Sequence, residues 1–345
     1  MVMTLSRHLD ADDHYSGLWY MYTDDLGATW KGPFEPPQLG AQSAGEGLHS
    51  SVHDVTPGCH QRTGKLLAIG GRTYYRMDGK HVSGDLRRGG TSYAVYDARE
   101  DRWSDWQALI LPPAGQTPLF DNCRSACSQW VEKPDGTLLI PVYCQPEAGN
   151  PCWVVTVLHC RFDGVRLTYL RHGNFLAENT GRGLAEPSLA YCRGRYFLTI
   201  RHDERGYVAV SKDGLRFGPL RAWTNDDGSD LGSVNTQQHW LTYGDALYLT
   251  YTSQRAHNRH IARGRAPIYL AQVDPERLQV LRATEQVLIP ERGLMLGNFG
   301  AAAVAAREAW VTDAEFLWYS HGFKPTAQGG DGSVWIARVN WPAGR

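Results

Sequence analysis

The sequence predicts an all-β fold, a six-bladed β-propeller with four antiparallel strands in each blade. Short runs of β-branched and aromatic residues alternate with Gly, Asp, Asn and Pro, in a chain with 37 Gly, 18 Pro, 17 Tyr and 12 Trp. Such runs are typical of strands and turns. No long segment shows the apolar period of a helix. A unit of strand, polar turn and stronger strand also recurs along the chain, which is typical of propeller blades.

Five copies of this unit lie near residues 52, 124, 186, 237 and 299, and the opening MVMTLSR resembles the second half of a sixth. Further strands, such as TSYAVYDA and APIYLAQVD, lie between the copies and complete the blades. We therefore expect residues 1–345 to form one propeller domain. We expect the N- and C-terminal strands to pair within one blade and close the ring, which would remove exposed sheet edges. A pair of β-sandwiches is the alternative.

Composition excludes several classes of partner. The chain has 35 Lys and Arg against 36 Asp and Glu, a balance that argues against nucleic acid or an anionic membrane. No apolar run is long enough to span a bilayer and no signal peptide is visible, so we expect a cytoplasmic location. The seven Cys are irregularly spaced, with only Cys123 and Cys127 near the spacing of a zinc pair. We expect buried reduced thiols, no metal and no cofactor.

One turn motif is specific. Residues 23–30 read TDDLGATW and fit the S/T-x-D-x-G-x-T-W pattern called the Asp box. Its Asp side chain can accept backbone N–H bonds within the turn, and its Gly takes a conformation that other residues resist. Residues 211–217, SKDGLRF, are a shortened version, and residues 96–103 are a decayed one. We assign these motifs a role in folding and none in catalysis.

With this motif and the repeat along nearly the whole chain, the sequence resembles the sialidase-like (BNR-repeat) six-bladed propeller superfamily. Glu186 and Arg201, 15 residues apart, resemble the sialidase segment that holds the nucleophile-activating Glu and one carboxylate-binding Arg. Arg7 and the acidic loop at 10–13 resemble the segment of the acid/base Asp. The family's Arg-Ile-Pro motif is missing. Its nucleophilic Tyr has no match by motif, and Tyr251 and Tyr319 are only candidates.

Propeller geometry indicates where a pocket should lie. The start of the innermost strand and the end of the second strand in each blade share one face, around the central channel. These positions are rich in Arg, which suits carboxylates, and in His and Tyr, which suit proton transfer. We therefore expect an anionic-sugar pocket there. The candidate catalytic residues are Glu186, Asp12, Asp13, His49 and Tyr143, and the candidate substrate-binding residues are Arg7, Arg72, Arg124, Arg201, His53, Gln238, His239, Arg255 and Arg265.

Three functions remain open at this point. The leading hypothesis is an exo-acting glycoside hydrolase on an acidic or decorated oligosaccharide or polysaccharide, in which Asp12 or Asp13 donates the proton and Glu186 activates a nucleophile or water. The alternative is a polysaccharide lyase, or a His-dependent glycosidase of the rhamnosidase type, acting on a uronic-acid linkage through His49 and Tyr143. The third is a carbohydrate-binding propeller without catalysis. For Glu186, a purely structural ion pair with Arg201 is the competing interpretation.

Overall fold

The computed structural model describes residues 1–9, 14–45, 47–76, 89–113, 118–145, 152–319 and 322–342. Within these residues the chain forms β-strands and short 3-10 turns, with no α-helix. The strands build six antiparallel sheets in chain order, so the predicted fold class, an all-β six-bladed propeller, is confirmed. The number of strands is less regular than expected and runs from three to six in a sheet. The chain divides into two compact units, Met1–Phe175 and Leu176–Arg345.

The first unit contains three sheets, each built by antiparallel pairing of strands close in sequence. The first sheet consists of β1 (Val2–His8), β2 (Tyr15–Tyr22) and β3 (Lys31–Phe34). The second consists of β4 (Gln42–Gly45), β5 (Leu48–His60), β6 (Lys65–Arg76), β7 (Thr91–Asp97), β8 (Arg102–Trp103) and β9 (Gln107–Ala108). The third contains β10 (Cys123–Arg124), β11 (Val131–Glu132), β12 (Thr137–Cys144), β13 (Val154–Phe162) and β14 (Leu167–His172).

The second unit begins with the short strand β15 (Leu176–Ala177). Its first full sheet consists of β16 (Ala185–Cys192), β17 (Arg195–Arg201), β18 (Tyr207–Ser211) and β19 (Arg221–Ala222), and it is the one that matches the expected four strands. The next consists of β20 (His239–Tyr243), β21 (Ala246–Thr252), β22 (Ile268–Asp274), β23 (Gln279–Val280) and β24 (Gln286–Ile289). The last consists of β25 (Gly300–Ala305), β26 (Glu308–Ala314) and β27 (Val334–Asn340).

The first and last strands are each described within their own sheet, β1 paired with β2 and β27 paired with β26. Closure of the ring by pairing of these two strands, and a single domain over residues 1–345, therefore stay predictions. No helix in the described part of the chain is long and apolar enough to cross a bilayer. All seven Cys are free thiols, and five of them are buried.

The two best-formed Asp boxes fold as their pattern predicts. The Asp25 carboxylate accepts bonds from the Thr29 hydroxyl and from the Thr29 N–H at 2.9 Å, and these bonds lower the pKa of Asp25 to about 2. In the shorter motif the Asp213 carboxylate accepts the N–H groups of Leu215 and Arg216, at 2.9 and 2.7 Å. Each motif follows the strand it terminates, β2 or β18, so its role is to end a strand and turn the chain.

A left-handed residue recurs where the chain enters the sheets. Asp54, Cys127, Glu186 and Asn235 have φ values of 52°, 51°, 46° and 49°. Each lies within or just before the first strands of its sheet, and at Asp54 and Glu186 the strand register also shifts, as in a β-bulge. Side chains other than Gly rarely adopt this conformation, and a bulge redirects the side chain that it carries. The repeat therefore presents four different side chains from one kind of backbone position.

Candidate functional site

The β16–β17 hairpin brings the predicted pair Glu186 and Arg201 together. Arg201 ends β17, and its Nη1 donates a hydrogen bond to Glu186 Oε1. Both residues are buried, with 9% and 8% of their surface exposed. The second carboxylate oxygen, Glu186 Oε2, is buried and has no hydrogen-bond partner among the described residues. An unsatisfied buried acceptor costs about 1–3 kcal/mol, so this oxygen is suited to receive a hydrogen bond from a substrate hydroxyl or from water.

Asn235 accepts hydrogen bonds from three guanidinium groups. Its side-chain Oδ1 accepts bonds from Arg201, through Nε at 3.1 Å and also through Nη2, and from Arg182 Nη2 at 2.6 Å. Its backbone oxygen accepts a bond from Arg265 Nη2 at 3.4 Å. Arg201 and Arg265 were expected in the site, whereas Asn235 and Arg182 were missed. The left-handed preference of Asn at the start of a repeat unit was the signal that could have found Asn235.

Arg182 is held from its other side by Asp203. The guanidinium donates to Asp203 Oδ1 through Nε at 3.0 Å and Nη2 at 2.7 Å, while the Arg182 backbone N–H donates to Oδ2 at 2.9 Å. Burial alone would raise the pKa of Asp203, but the hydrogen bonds from Arg182 outweigh it and lower that pKa. Gly181 permits this approach, because it has φ of +54° and a Cβ there would lie 2.9 Å from Asp203 Oδ2.

Asp313, near the end of β26, adds a third carboxyl group to this cluster. Only 6% of the residue is exposed, and its Oδ2 is buried without a hydrogen-bond partner in the described part of the chain. Burial raises the pKa of Asp313 to about 7, against the lowering effects of the Ala314 N–H and of Arg265. Arg265 also donates to Asn298 Oδ1 at 3.3 Å. Well below pH 7, Asp313 is therefore largely uncharged, and the three guanidinium groups outnumber the carboxylates of Glu186 and Asp203.

Two further predicted binding residues lie inside the protein. Gln238 is fully buried, and its Oε1 accepts a bond from the Thr199 hydroxyl at 2.9 Å. The His239 ring is buried beside Ser188, with 2.8 Å between Nδ1 and the hydroxyl oxygen. Burial lowers the pKa of His239 to about 4, so the ring stays neutral. These contacts support a role in packing between strands and give no support to direct substrate contact by either residue.

The guanidinium of Arg255 is also bound by other side chains of the protein. Its Nη1 and Nη2 donate to the two carboxylate oxygens of Glu285 at 2.8 and 2.5 Å, and its guanidinium lies 4.3 Å from the Tyr269 ring centroid. The same carboxylate accepts the hydroxyl of Tyr251, which is fully buried. Tyr251 is therefore poorly placed to act as a nucleophile, whereas Tyr319 is exposed.

The first unit holds a separate cluster on the β5–β6 hairpin. His53 Nδ1 lies 2.8 Å from Asp54 Oδ2, and His53 Nε2 lies 2.8 Å from Thr73 Oγ1. Arg124 Nη1 donates to the same Thr73 oxygen at 3.2 Å. Because Arg can only donate, the Thr73 hydroxyl proton is free to point at His53 Nε2, and His53 then donates from Nδ1 to Asp54. Tyr15 stacks on the His53 ring, with 4.6 Å between ring centroids.

His49 and Tyr143 belong to the same unit. His49 faces His14, with 3.4 Å between their Nε2 atoms, and its ring stacks on Tyr75. Tyr143 is paired with Arg124 in the β10–β12 register, and its ring centroid lies 5.0 Å from that of Trp153. The sequence did not single out His14, which follows the acidic loop at 10–13. Strands β5, β10 and β12 of the first unit therefore carry four predicted site residues, which are His49, His53, Arg124 and Tyr143.

The remaining predicted residues have other surroundings. Arg7 is half exposed, and its guanidinium lies 5.0 Å from the ring centroid of Trp19. Asp12 and Asp13 lie outside the described residues, so their proposed acid/base role stays a prediction. The described residues contain no group of three His, Cys, Asp or Glu that could hold a metal ion. Burial lowers the pKa of Arg72, and its guanidinium donates to Gln42, Ser50 and Ser92.

Known structures match this chain over nearly its whole length. A protein of unknown function from Dyadobacter fermentans aligns with a TM-score of 0.64 at 15% identity, covering 99% of this chain and 91% of that one. Trypanosoma rangeli sialidase aligns with a TM-score of 0.59 at 16% identity, covering 99% of this chain and 52% of that one. The Hadza microbial sialidase Hz136 aligns with a TM-score of 0.63 at 11% identity, covering 98% and 63%. No family model and no curated protein sequence matches.

Likeness at these identities concerns the fold. The chain spans 52% and 63% of the lengths of these two sialidases, so it corresponds to only part of each. Their alignment nevertheless runs through all six sheets, because it covers nearly all of this chain. The protein therefore has the sialidase-like six-bladed β-propeller fold, the fold that its repeats and its Asp box predicted.

Proposed function

We propose that the protein is a glycoside hydrolase that acts on a glycan carrying a carboxylate, with Glu186 activating the nucleophile or the attacking water. One observation carries this proposal. Glu186 is held in a left-handed backbone conformation, is buried, and has one oxygen on Arg201 and the other without a described partner. Backbone strain and a buried carboxylate of this kind are typical of catalytic positions.

The neighbouring groups fit the requirements of the reaction. Glycoside hydrolysis needs a proton donor for the leaving oxygen and a second group that acts as nucleophile or base. Glu186 serves as the second group, and Arg201 and Arg265 bind the substrate carboxylate through their planar donors. Asp12 or Asp13 remains the expected proton donor. In support of an acidic sugar, Trypanosoma rangeli sialidase, which shares the fold, has been solved in complex with sialic acid.

The test replaces Glu186 by Gln, which keeps the shape of the side chain and removes its charge. We expect turnover of acidic oligosaccharides, followed by mass spectrometry, to fall by about 100-fold or more, the range of a lost general base. Glu308→Gln is the matched control, since Glu308 is also a buried carboxylate that accepts an arginine bond, from Arg338 Nε at 2.6 Å. Wild-type turnover by a folded Glu186→Gln protein would overturn the proposal.

The histidine cluster of the first unit favours a second candidate, a lyase or a His-dependent glycosidase acting at a uronic acid. The close pair His14 and His49 and the His53–Asp54 contact are the arrangements that proton transfer needs. Under this hypothesis His49→Ala and Tyr143→Phe abolish cleavage, while Glu186→Gln retains it. A lyase also releases an unsaturated uronate that absorbs ultraviolet light, which a hydrolase does not.

A further inference from the structure

Two cysteines face each other across the β10–β12 pair of the first unit. Cys123 and Cys144 are opposite partners in the strand register, and no other two cysteines of the described residues are paired in this way. In the next pair outward, the Gln145 N–H donates to the Asn122 carbonyl oxygen at 3.0 Å. Since hydrogen-bonded and non-hydrogen-bonded pairs alternate along an antiparallel ladder, the two cysteines form a non-hydrogen-bonded pair.

This position has the geometry that a disulfide needs. The Cα atoms of a non-hydrogen-bonded pair lie about 4.5 Å apart, and both side chains point to the same face of the sheet. Disulfides span Cα separations of about 4.4–6.8 Å. The thiol groups of Cys123 and Cys144 are already in hydrogen-bond contact. The two sulfur atoms can therefore be joined without a large movement of either strand.

We propose that Cys123 and Cys144 form a disulfide bond when the chain folds in the presence of a small-molecule disulfide such as oxidised glutathione. One cysteine thiolate attacks the small disulfide, which gives a mixed disulfide and releases one reduced glutathione. The other thiolate then attacks the protein sulfur of the mixed disulfide and releases the second. The two thiol protons of the protein end on the two glutathione molecules, so the protein loses two electrons and two protons.

The burial of the pair indicates when the bond forms. Cys123 and Cys144 are 1% and 0% exposed, within the same apolar cluster as Leu138 and Ile140. Burial and the contact with Cys123 raise the pKa of the Cys144 thiol. Thiol exchange needs the thiolate, so a buried thiol with a raised pKa reacts slowly. The bond is therefore expected to form during folding, before the core around it closes.

The short strand β10 would gain most from this bond. It consists of two residues, Cys123 and Arg124, so few ladder bonds hold it against β12. The next pair in the register joins Arg124 to Tyr143, and both are candidate site residues. A covalent bond beside this pair limits how far the two strands can separate. The disulfide would therefore keep Arg124 opposite Tyr143, whichever reaction the protein performs.

The test refolds the denatured, reduced full chain in a buffer of reduced and oxidised glutathione, and in parallel with a reductant alone. Free thiols are then alkylated in denaturant and counted by intact mass spectrometry. We expect five of the seven cysteines to be alkylated after the glutathione buffer and all seven after the reductant. Peptide mapping should join Cys123 to Cys144. The oxidised protein should melt about 5 °C higher, because the bond closes a loop of about 20 residues.

Two variants control for the identity of the bond. Cys123→Ala should leave all of its remaining thiols free in both buffers and should show no difference in melting temperature between them. Cys160→Ala is the matched control, because Cys160 is also fully buried in the same apolar cluster but has Leu138 and Tyr169 opposite it. This variant should still form the bond between Cys123 and Cys144 and keep the shift in melting temperature.

The outcomes that contradict the proposal are equally specific. Seven alkylated thiols after the glutathione buffer would overturn it, and so would a bond between other cysteines or a lasting adduct with glutathione. A bond at the expected place without a higher melting temperature would overturn the stabilising role given to it. None of these results bears on Glu186, which lies in the second unit, so the hydrolase test stands or fails separately.

Discussion

The buried Asp313 carboxyl couples folding to pH. Its pKa is about 7 in the folded protein against 3.8 for an ordinary Asp, so between these values the folded state binds more protons than the unfolded state. Its contribution to stability is therefore full at low pH and falls as the pH rises to about 7. His239 acts in the opposite direction, because its pKa is lowered from 6.5 to about 4 and its neutral form favours folding above pH 6.5.

We predict that replacing Asp313 by Asn reveals these opposite effects of Asp313 and His239 on the pH dependence of stability. In the wild type the two groups change stability by similar amounts, about 2 kcal/mol each, with opposite sign between pH 5 and pH 7. As the pH rises from 5 to 7, Asp313→Asn should therefore gain about 2 kcal/mol of unfolding free energy relative to the wild type. Urea unfolding at several pH values measures both curves.

The control for this prediction is Glu100→Gln, which removes an exposed carboxylate of the first unit. Its stability should follow the wild-type curve over the same interval. Parallel curves for Asp313→Asn and the wild type would show that Asp313 ionises normally in the folded protein.

Among single residues, the sequence identified those that carry a motif and missed those that depend on loop geometry. Glu186 and Arg201 were found because their separation fixes them on adjoining strands of one hairpin. Gln238 and His239 were predicted to bind substrate from their position at a strand start. Both side chains are buried and hydrogen-bonded within the protein, and their substrate-binding role stays a prediction. Arg182 and Asn235 were missed, since their meeting depends on loop paths that no periodicity encodes.

At the level of elements, the left-handed positions restrict which side chains the backbone can carry without strain. Cys127 has φ of 51°, a conformation that is costly for a branched side chain. We predict that Cys127→Gly keeps the fold, whereas Cys127→Val is less stable than Cys127→Gly by more than about 1 kcal/mol. Differential scanning calorimetry gives the order of the two variants. Equal stability would mean that this backbone position relaxes.

The shorter Asp box allows a second test on an element. Removing the Asp213 carboxylate leaves the N–H groups of Leu215 and Arg216 without their acceptor. We expect Asp213→Ala to lower the free energy of unfolding by about 1–2 kcal/mol with unchanged turnover, because the turn ends a strand and holds no substrate. Chemical denaturation and the turnover assay together check this, and a loss of turnover without a loss of stability would contradict it.

For the whole molecule, the repeat predicted the architecture better than it predicted the strand count. The inner strands recur with strong apolar patterns, so all six sheets could be anticipated. The outer strands include two-residue segments such as Arg102–Trp103 and Gln107–Ala108, which are too short to show any alternation. Whether the ends of the chain pair could not be read from composition, because pairing between distant strands leaves no local signal.

The reaction class is also a property of the whole molecule. We predict that cleavage of an acidic oligosaccharide in water enriched in heavy oxygen places one heavy oxygen in the released sugar, since hydrolysis takes its oxygen from solvent. Mass spectrometry of the products reads this directly. Unlabelled, unsaturated products would assign the chemistry to the lyase hypothesis, and binding without any product would favour a carbohydrate receptor.

The recurring left-handed position also bears on how such a protein can change over time. Asp54, Cys127, Glu186 and Asn235 share one backbone conformation yet carry an acid, a thiol, a longer acid and an amide. The conformation therefore belongs to the blade and not to the residue that fills it. A single codon change at one of these sites can exchange the chemical group without rebuilding the scaffold. The blades thus provide equivalent backbone positions at which a change of side chain can lead to a new specificity.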